Sequence, residues 1–184
     1  KSRFGCWTCT VVKEDKSLNG FIKSGHHELI PLAEFRKWLM DMRRPENREK
    51  KRRDGVVGAG PFTWEARQTI LRRLLETQMQ LKNEFGATDD LITLDELKAI
   101  DQIWDNELDL SRRTLVDLYY DVTGERLPWD EYKKPLFDVE TQNLLIEMCK
   151  AQDLPYDLMT NLVLTTNQNK NYWMKLMKSM LLRR

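Results

Sequence analysis

Cys6 and Cys9, in the run Arg3-Phe4-Gly5-Cys6-Trp7-Thr8-Cys9-Thr10, are the residues of this sequence whose type and spacing carry the most specific chemistry. A C-x-x-C pair lets two thiolates reach one metal ion or cluster, or each other. A zinc site needs four ligands, and the other candidates are Cys149, far downstream, and His26 and His27. Adjacent histidines can hardly both reach one ion in good geometry, so a zinc site complete within this chain is disfavoured. A thioredoxin-type redox pair belongs at a helix N-terminus beside a strand of a βαβ unit. Here the pair is followed by Thr10-Val11-Val12-Lys13, a short extended run, with no room for a strand before it. An iron–sulfur half-site, completed by cysteines absent from this chain, suits a pair at the first residues best. Cys6 and Cys9 are therefore the candidate metal ligands.

A second candidate site is electrostatic. Residues 43–53 carry seven basic and two acidic side chains, whereas residues 84–109 carry nine acidic ones against Lys98 alone. The near-neutral net charge of +1 hides this polarity. The basic run leads into Gly55, Gly58 and Gly60, and then to Thr63, a helix cap, with Glu65 in the first turn. Basic side chains, a permissive backbone and a helix N-terminus in succession suit a phosphate backbone. Arg48, Lys50, Lys51, Arg52 and Arg53 are the candidate nucleic-acid contacts, acting as charge and not as base readers. The competing reading is a solvated helix end, or a surface that docks on the acidic stretch. Asp89, Asp90, Asp95 and Glu96 lack the spacing of a calcium loop and read as acids at a helix start.

The elements that position these groups are helical. Asp15 caps a short helix ending near Ser24, with Gly25 as the stop and His26 and His27 in the exposed turn beyond. A helix from about Pro31 buries Leu32, Phe35, Trp38, Leu39 and Met42, and Pro45 ends it. The helix from Thr63 runs to about Phe85, before Gly86, with Ile70, Leu71, Leu74, Leu75 and Gln78 inward. Thr93-Leu94-Asp95-Glu96 is a capping-box pattern, and Leu97, Ile100, Trp104 and Leu108 form the stripe of the next helix. Ser111 opens another, reaching Gly124. Residues 128–135 mark a seam, followed by a helix over 141–152 with Cys149 on its apolar side, a short helix after Pro155, and a last helix from Asn169 with Trp173, Leu176, Met177, Met180 and Leu181 on one stripe. No convincing hairpin and no repeat appear. The expected fold is mainly α, an irregular domain of about six to eight helices, divided as 1–27 (end of a cluster-binding segment), 28–127 (helical, with the basic Gly-rich loop 43–62) and 128–184 (a C-terminal helical subdomain).

Three separated motifs in order bear a resemblance to a known family. Ser2-Arg3-Phe4-Gly5-Cys6-Trp7-Thr8-Cys9-Thr10-Val11-Val12, then Pro31-Leu32-Ala33-Glu34-Phe35-Arg36, then Gly58-Ala59-Gly60-Pro61-Phe62-Thr63 resemble the DndC family of sulfurtransferases of DNA phosphorothioation, which are phosphoadenosine-phosphosulfate-reductase-like enzymes. The likeness covers the first third of the chain well and weakens to a helical pattern around Ile103-Trp104-Asp105. It implies a four-iron four-sulfur cluster held by the cysteines of this motif, shielded by Phe4 and Trp7. It also implies an upstream domain, using ATP and Mg, that cleaves ATP to AMP and pyrophosphate. The implied partners are DNA, a cysteine desulfurase and other subunits of the phosphorothioation complex. The chain departs from the family in matching neither its Ser-Gly-Gly-type phosphate loop nor the upstream cysteines. The expectation is a C-terminal portion of such an enzyme, with no catalytic residue of its own and no activity by itself. The alternative is a non-catalytic helical interaction module whose C-x-x-C is half of a structural zinc site shared with another chain.

Composition agrees with a charged globular protein, 41% hydrophobic and 32% charged over 184 residues. No apolar run approaches the ~20 residues that span a bilayer, and no secretory h-region precedes the cysteines, so no membrane partner is expected. Three cysteines, an odd number, argue against a disulfide framework and for a reducing cytoplasm.

Overall fold

Local sequence signals set most of the helix ends. Asp15 accepts hydrogen bonds from the backbone N–H groups of Ser17 and Leu18 (3.1 and 3.0 Å), capping α1 (Lys16–Lys23). Pro31 stands in the first turn of α2 (Ile30–Asp41), where its missing N–H is no loss. Thr63 accepts from Ala66 N (3.2 Å) at the start of α3 (Trp64–Phe85), and Gly86 ends that helix at φ 65°, a left-handed conformation favoured by glycine. The computed structural model describes residues 7–50, 52, 55–132 and 134–165. Its remaining helices are α4 (Leu94–Glu107), α5 (Thr114–Thr123), α6 (Val139–Ala151) and α7 (Tyr156–Thr165). Among the described residues there are seven α-helices and no strand, a mainly α fold. The expected helix from Asn169 lies outside the described residues.

The chain divides into two compact units, residues 1–93 with 121–124, and residues 94–120 with 125–184. In the first, α2 packs on α3 and on α1. Phe35, Trp64, Leu71, Leu75 and Leu81 are buried there. Gln78, also buried, reaches from α3 to accept from the backbone N–H groups of Leu91 and Ile92 (2.7 and 3.1 Å), so the chain leaving α3 keeps its donors satisfied. In the second unit, α7 packs on α4 and α6, and Leu110, Phe137, Leu145, Cys149 and Val163 form a buried apolar cluster.

Two expectations change. The division falls at residue 93 and not at the seam expected around residue 128, because Leu136 and Phe137 both donate to the Leu110 carbonyl (2.9 and 3.0 Å) and tie that connection into the second unit. Ser111 does not open a helix: it is buried in a loop folded around the Asp109 carboxylate, and α5 starts three residues later.

Candidate functional site

Cys9 is half-buried in a segment whose described residues, 7–15, form no helix or strand, and it takes its position from α2. On its N-terminal side the Trp7 ring meets Phe35 at a centroid distance of 5.5 Å, and Phe35 in turn meets Trp38 at 5.8 Å. On its C-terminal side, Arg43 Nη1 donates to the Thr10 carbonyl (2.5 Å). Arg36 Nη2 donates to the Val12 carbonyl and Nη1 to the Lys13 carbonyl (3.2 Å). Cys9 is thus bracketed between contacts to one helix and its flank. Cys6 and Phe4 lie outside the described residues. Trp7, expected as a shield over a cluster, turns its ring to the helical core.

Arg36 and Arg43 are functional candidates that the sequence reading missed. The signal was present for Arg36: residues 32, 35, 36 and 39 share the buried stripe of a helix, and an arginine occupies the third of those positions. Only 6% of Arg36 is exposed.

The other possible ligands are placed apart from one another in role. His26 and His27 are exposed in the turn after α1, as expected. His26 Nδ1 lies 2.8 Å from Glu28 Oε1 and its ring stands edge-on to Phe21. Backbone hydrogen bonding, and then His26, hold the Glu28 carboxyl below its ordinary range. Among the described residues no group of three or more His, Cys, Asp or Glu side chains could hold a metal ion. Of the expected ligand pair Cys6 and Cys9, the described residues include Cys9 alone.

Cys149 belongs to the core of the second unit, and burial pushes its thiol above the ordinary range. In the native chain at neutral pH, Cys149 is expected to resist alkylation while Cys9 reacts, with both labelled after denaturation; mass mapping checks this. The sign of the pH effect follows from the raised value. The contribution of Cys149 to stability is complete below the unfolded thiol pKa, about 8.5, and is lost as pH rises through the folded value.

The basic run folds back on itself. Thr63 N donates to Asn47 O (3.0 Å), Glu49 N to Pro61 O and Gly60 N to Glu49 O (both 2.9 Å), Gly58 N to Lys50 O (3.0 Å) and Arg52 N to Val56 O (2.9 Å). Arg48 and Phe62 form an isolated antiparallel bridge. This irregular hairpin corrects the expectation that the chain holds no hairpin. It escapes a sequence pattern because Pro61 has no N–H to continue a ladder and no alternation of apolar residues marks its arms. Arg48 has a post inside the hairpin. Its guanidinium carbon lies 4.0 Å from the centroid of the Phe62 ring, and Nη1 donates to Gly60 O (3.0 Å). That arrangement gives it a structural part beside its expected role as a phosphate contact. Lys50 and Arg52 are exposed, as are Val56 and Val57. Lys51 and Arg53 lie outside the described residues.

No helix among the described residues is long and apolar enough to cross a membrane. Compared with protein families, with curated proteins and with solved structures, the chain matches none, so its functional reading rests on the residues and geometry above.

Proposed function

We propose that this chain is the cysteine-bearing, DNA-facing portion of a DNA phosphorothioation sulfurtransferase of the DndC family. One observation carries the reading beyond the resemblance of the three motifs: the cysteine segment is seated on α2, and the basic hairpin follows the same helix within the same unit. A thiolate site seated on α2 and a phosphate-facing loop that follows it then belong to one unit. In this reading ATP is cleaved to AMP and pyrophosphate in an upstream domain that also holds Mg. Sulfur from a cysteine desulfurase replaces a non-bridging oxygen of the DNA phosphate. Cys6 and Cys9 are ligands of an iron–sulfur cluster shared with upstream cysteines, a group whose potential and lability depend on burial and hydrogen bonding. This chain's part is to seat those cysteines and to bind the DNA backbone by charge; no catalytic residue is assigned to it. The setting is the cytoplasm, among the other subunits of the modification complex.

The test is metal and sulfide analysis of the anaerobically purified full-length protein. Iron with acid-labile sulfide is expected. Cys6→Ala and Cys9→Ala should each lose the iron while the helical circular dichroism of the distal helices persists. A full cluster retained in both variants removes the ligand assignment. Zinc alone supports instead a helical interaction module with a shared structural zinc site.

A further inference from the structure

We infer that Arg36 is the positioning residue of the cysteine segment, clamping it to α2 and setting a buried positive charge in the unit that carries an anionic thiolate-held centre. The second half of this inference rests on the metal-site reading above; the clamp does not. Three observations carry it.

The segment around Cys9 has no regular secondary structure of its own, so its conformation depends on what it leans against. Carbonyls in such a segment need partners, and those of Thr10, Val12 and Lys13 find guanidinium groups of Arg43 and Arg36. Trp7 on Phe35 fixes the other side. Cys9 is held between two anchors on one rigid element.

Arg36 is also in an unusual state for an arginine. It is more than nine-tenths buried, yet among the described residues its partners are neutral: two carbonyls and the Met40 thioether, 3.7 Å from Nη1. Its Nε is buried with no hydrogen-bond partner in the structure. Buried guanidinium groups are ordinarily paired with carboxylates. A cation left without one, bonded to the chain three and four residues beyond Cys9, is the electrostatic complement of thiolates or of a cluster bearing net negative charge. Met at this position would fill the same space and supply neither the donors nor the charge; lysine would keep the charge without the two-pronged fork.

The experiment uses Arg36→Met, Arg36→Lys and Arg43→Met. In the metal-free chain, iodoacetamide labelling of Cys9 is followed by mass, with buried Cys149 as the gauge of unfolding in the second unit and helical circular dichroism as the gauge for the first. Arg36→Met is expected to raise the Cys9 labelling rate about tenfold or more, equivalent to ~1.4 kcal/mol of lost tethering, with Cys149 still protected. Arg36→Lys should fall between it and the wild type. An unchanged Cys9 rate overturns the clamp. Should Arg36→Met expose Cys149 as well, Arg43→Met decides, because Arg43 is exposed and its loss spares the buried stripe. Faster Cys9 labelling there supports the clamp, and an unchanged rate overturns it.

In the anaerobic full-length protein, Arg36→Met should weaken metal retention about 10- to 100-fold against a chelator, the effect typical of groups that support a ligand, and Arg36→Lys should weaken it less. Equal retention in all variants removes the electrostatic half of the inference. A clamp effect on labelling in a protein that binds no iron leaves the clamp standing and the cluster reading fallen.

Discussion

Asp109→Ala is expected to destabilise the second unit by about 2–4 kcal/mol, from the removal of buried hydrogen bonds and the orphaning of a backbone donor. The side chain is almost completely buried, and both oxygens are occupied. Oδ1 accepts from Ser111 N (3.2 Å), Ser111 Oγ (2.7 Å) and Arg112 N (3.0 Å), while Oδ2 accepts from Thr114 N at the start of α5 (2.8 Å). Ser111 N keeps a second acceptor, Gln142 Oε1 at 2.8 Å, and the hydroxyl can rotate. Arg112 N also donates to the Asp109 main-chain carbonyl (3.2 Å), which alanine retains, so the substitution strands chiefly the Thr114 N–H. The loop also holds Arg112 at φ 54°, a left-handed conformation that the carboxylate contacts offset. Asp109→Asn should cost roughly half as much, since the amide oxygen can keep the Ser111 and Arg112 bonds while its NH2 faces the Thr114 N–H. Urea unfolding of the three proteins checks the order. A midpoint for Asp109→Ala equal to that of the wild type would mean that the loop is held by its apolar neighbours and not by this carboxylate.

The same loop shows where sequence reading reaches and where it stops. Asp15 and Thr63 work through neighbours two or three residues away and Gly86 through carbonyls four and five residues back, so their capping roles were legible from nearby letters. Asp109 begins its work in the same local way, but Gln142, which completes the network, comes from α6, thirty-one residues on. No local pattern announces that pairing, and Ser111 was read as a helix start because serine commonly caps. Helical stripes identified Leu71, Leu75, Leu97 and Trp104 as buried because apolar residues recur at helical spacing. Arg36 shares such a stripe yet was passed over, since charge ordinarily argues for exposure; only the carbonyls that it meets explain its burial. The cysteine pair was legible by spacing alone. Its seat on α2 was not, because it depends on contacts spanning more than twenty residues.

The hairpin sharpens the second large effect. Charge reversal of Lys50, Lys51, Arg52 and Arg53 together, with Arg48 kept, is expected to reduce DNA affinity at least ~100-fold at moderate salt and to flatten its salt dependence. Each phosphate contact contributes a slope of about 0.9 in log K against log salt, so four lost contacts should remove roughly 3 to 4 from it. Keeping Arg48 matters because its guanidinium lies over Phe62 and bonds Gly60 O. Replacing it confounds loss of charge with loss of the hairpin that presents the others. Arg48→Ala is the complementary experiment: affinity should fall through disorder of the hairpin, with added protease sensitivity near Gly55 and Gly58. Arg43 and Arg44 belong to the same basic run but have local tasks, Arg43 at the Thr10 carbonyl and Arg44 near Asp41 (3.6 Å). Their neutralisation should change the slope less than that of Lys50, Lys51, Arg52 and Arg53. Affinity and slope both unchanged after reversal of the four would assign the hairpin to a protein partner, and its exposed Val56 and Val57 would then be the residues to mutate next.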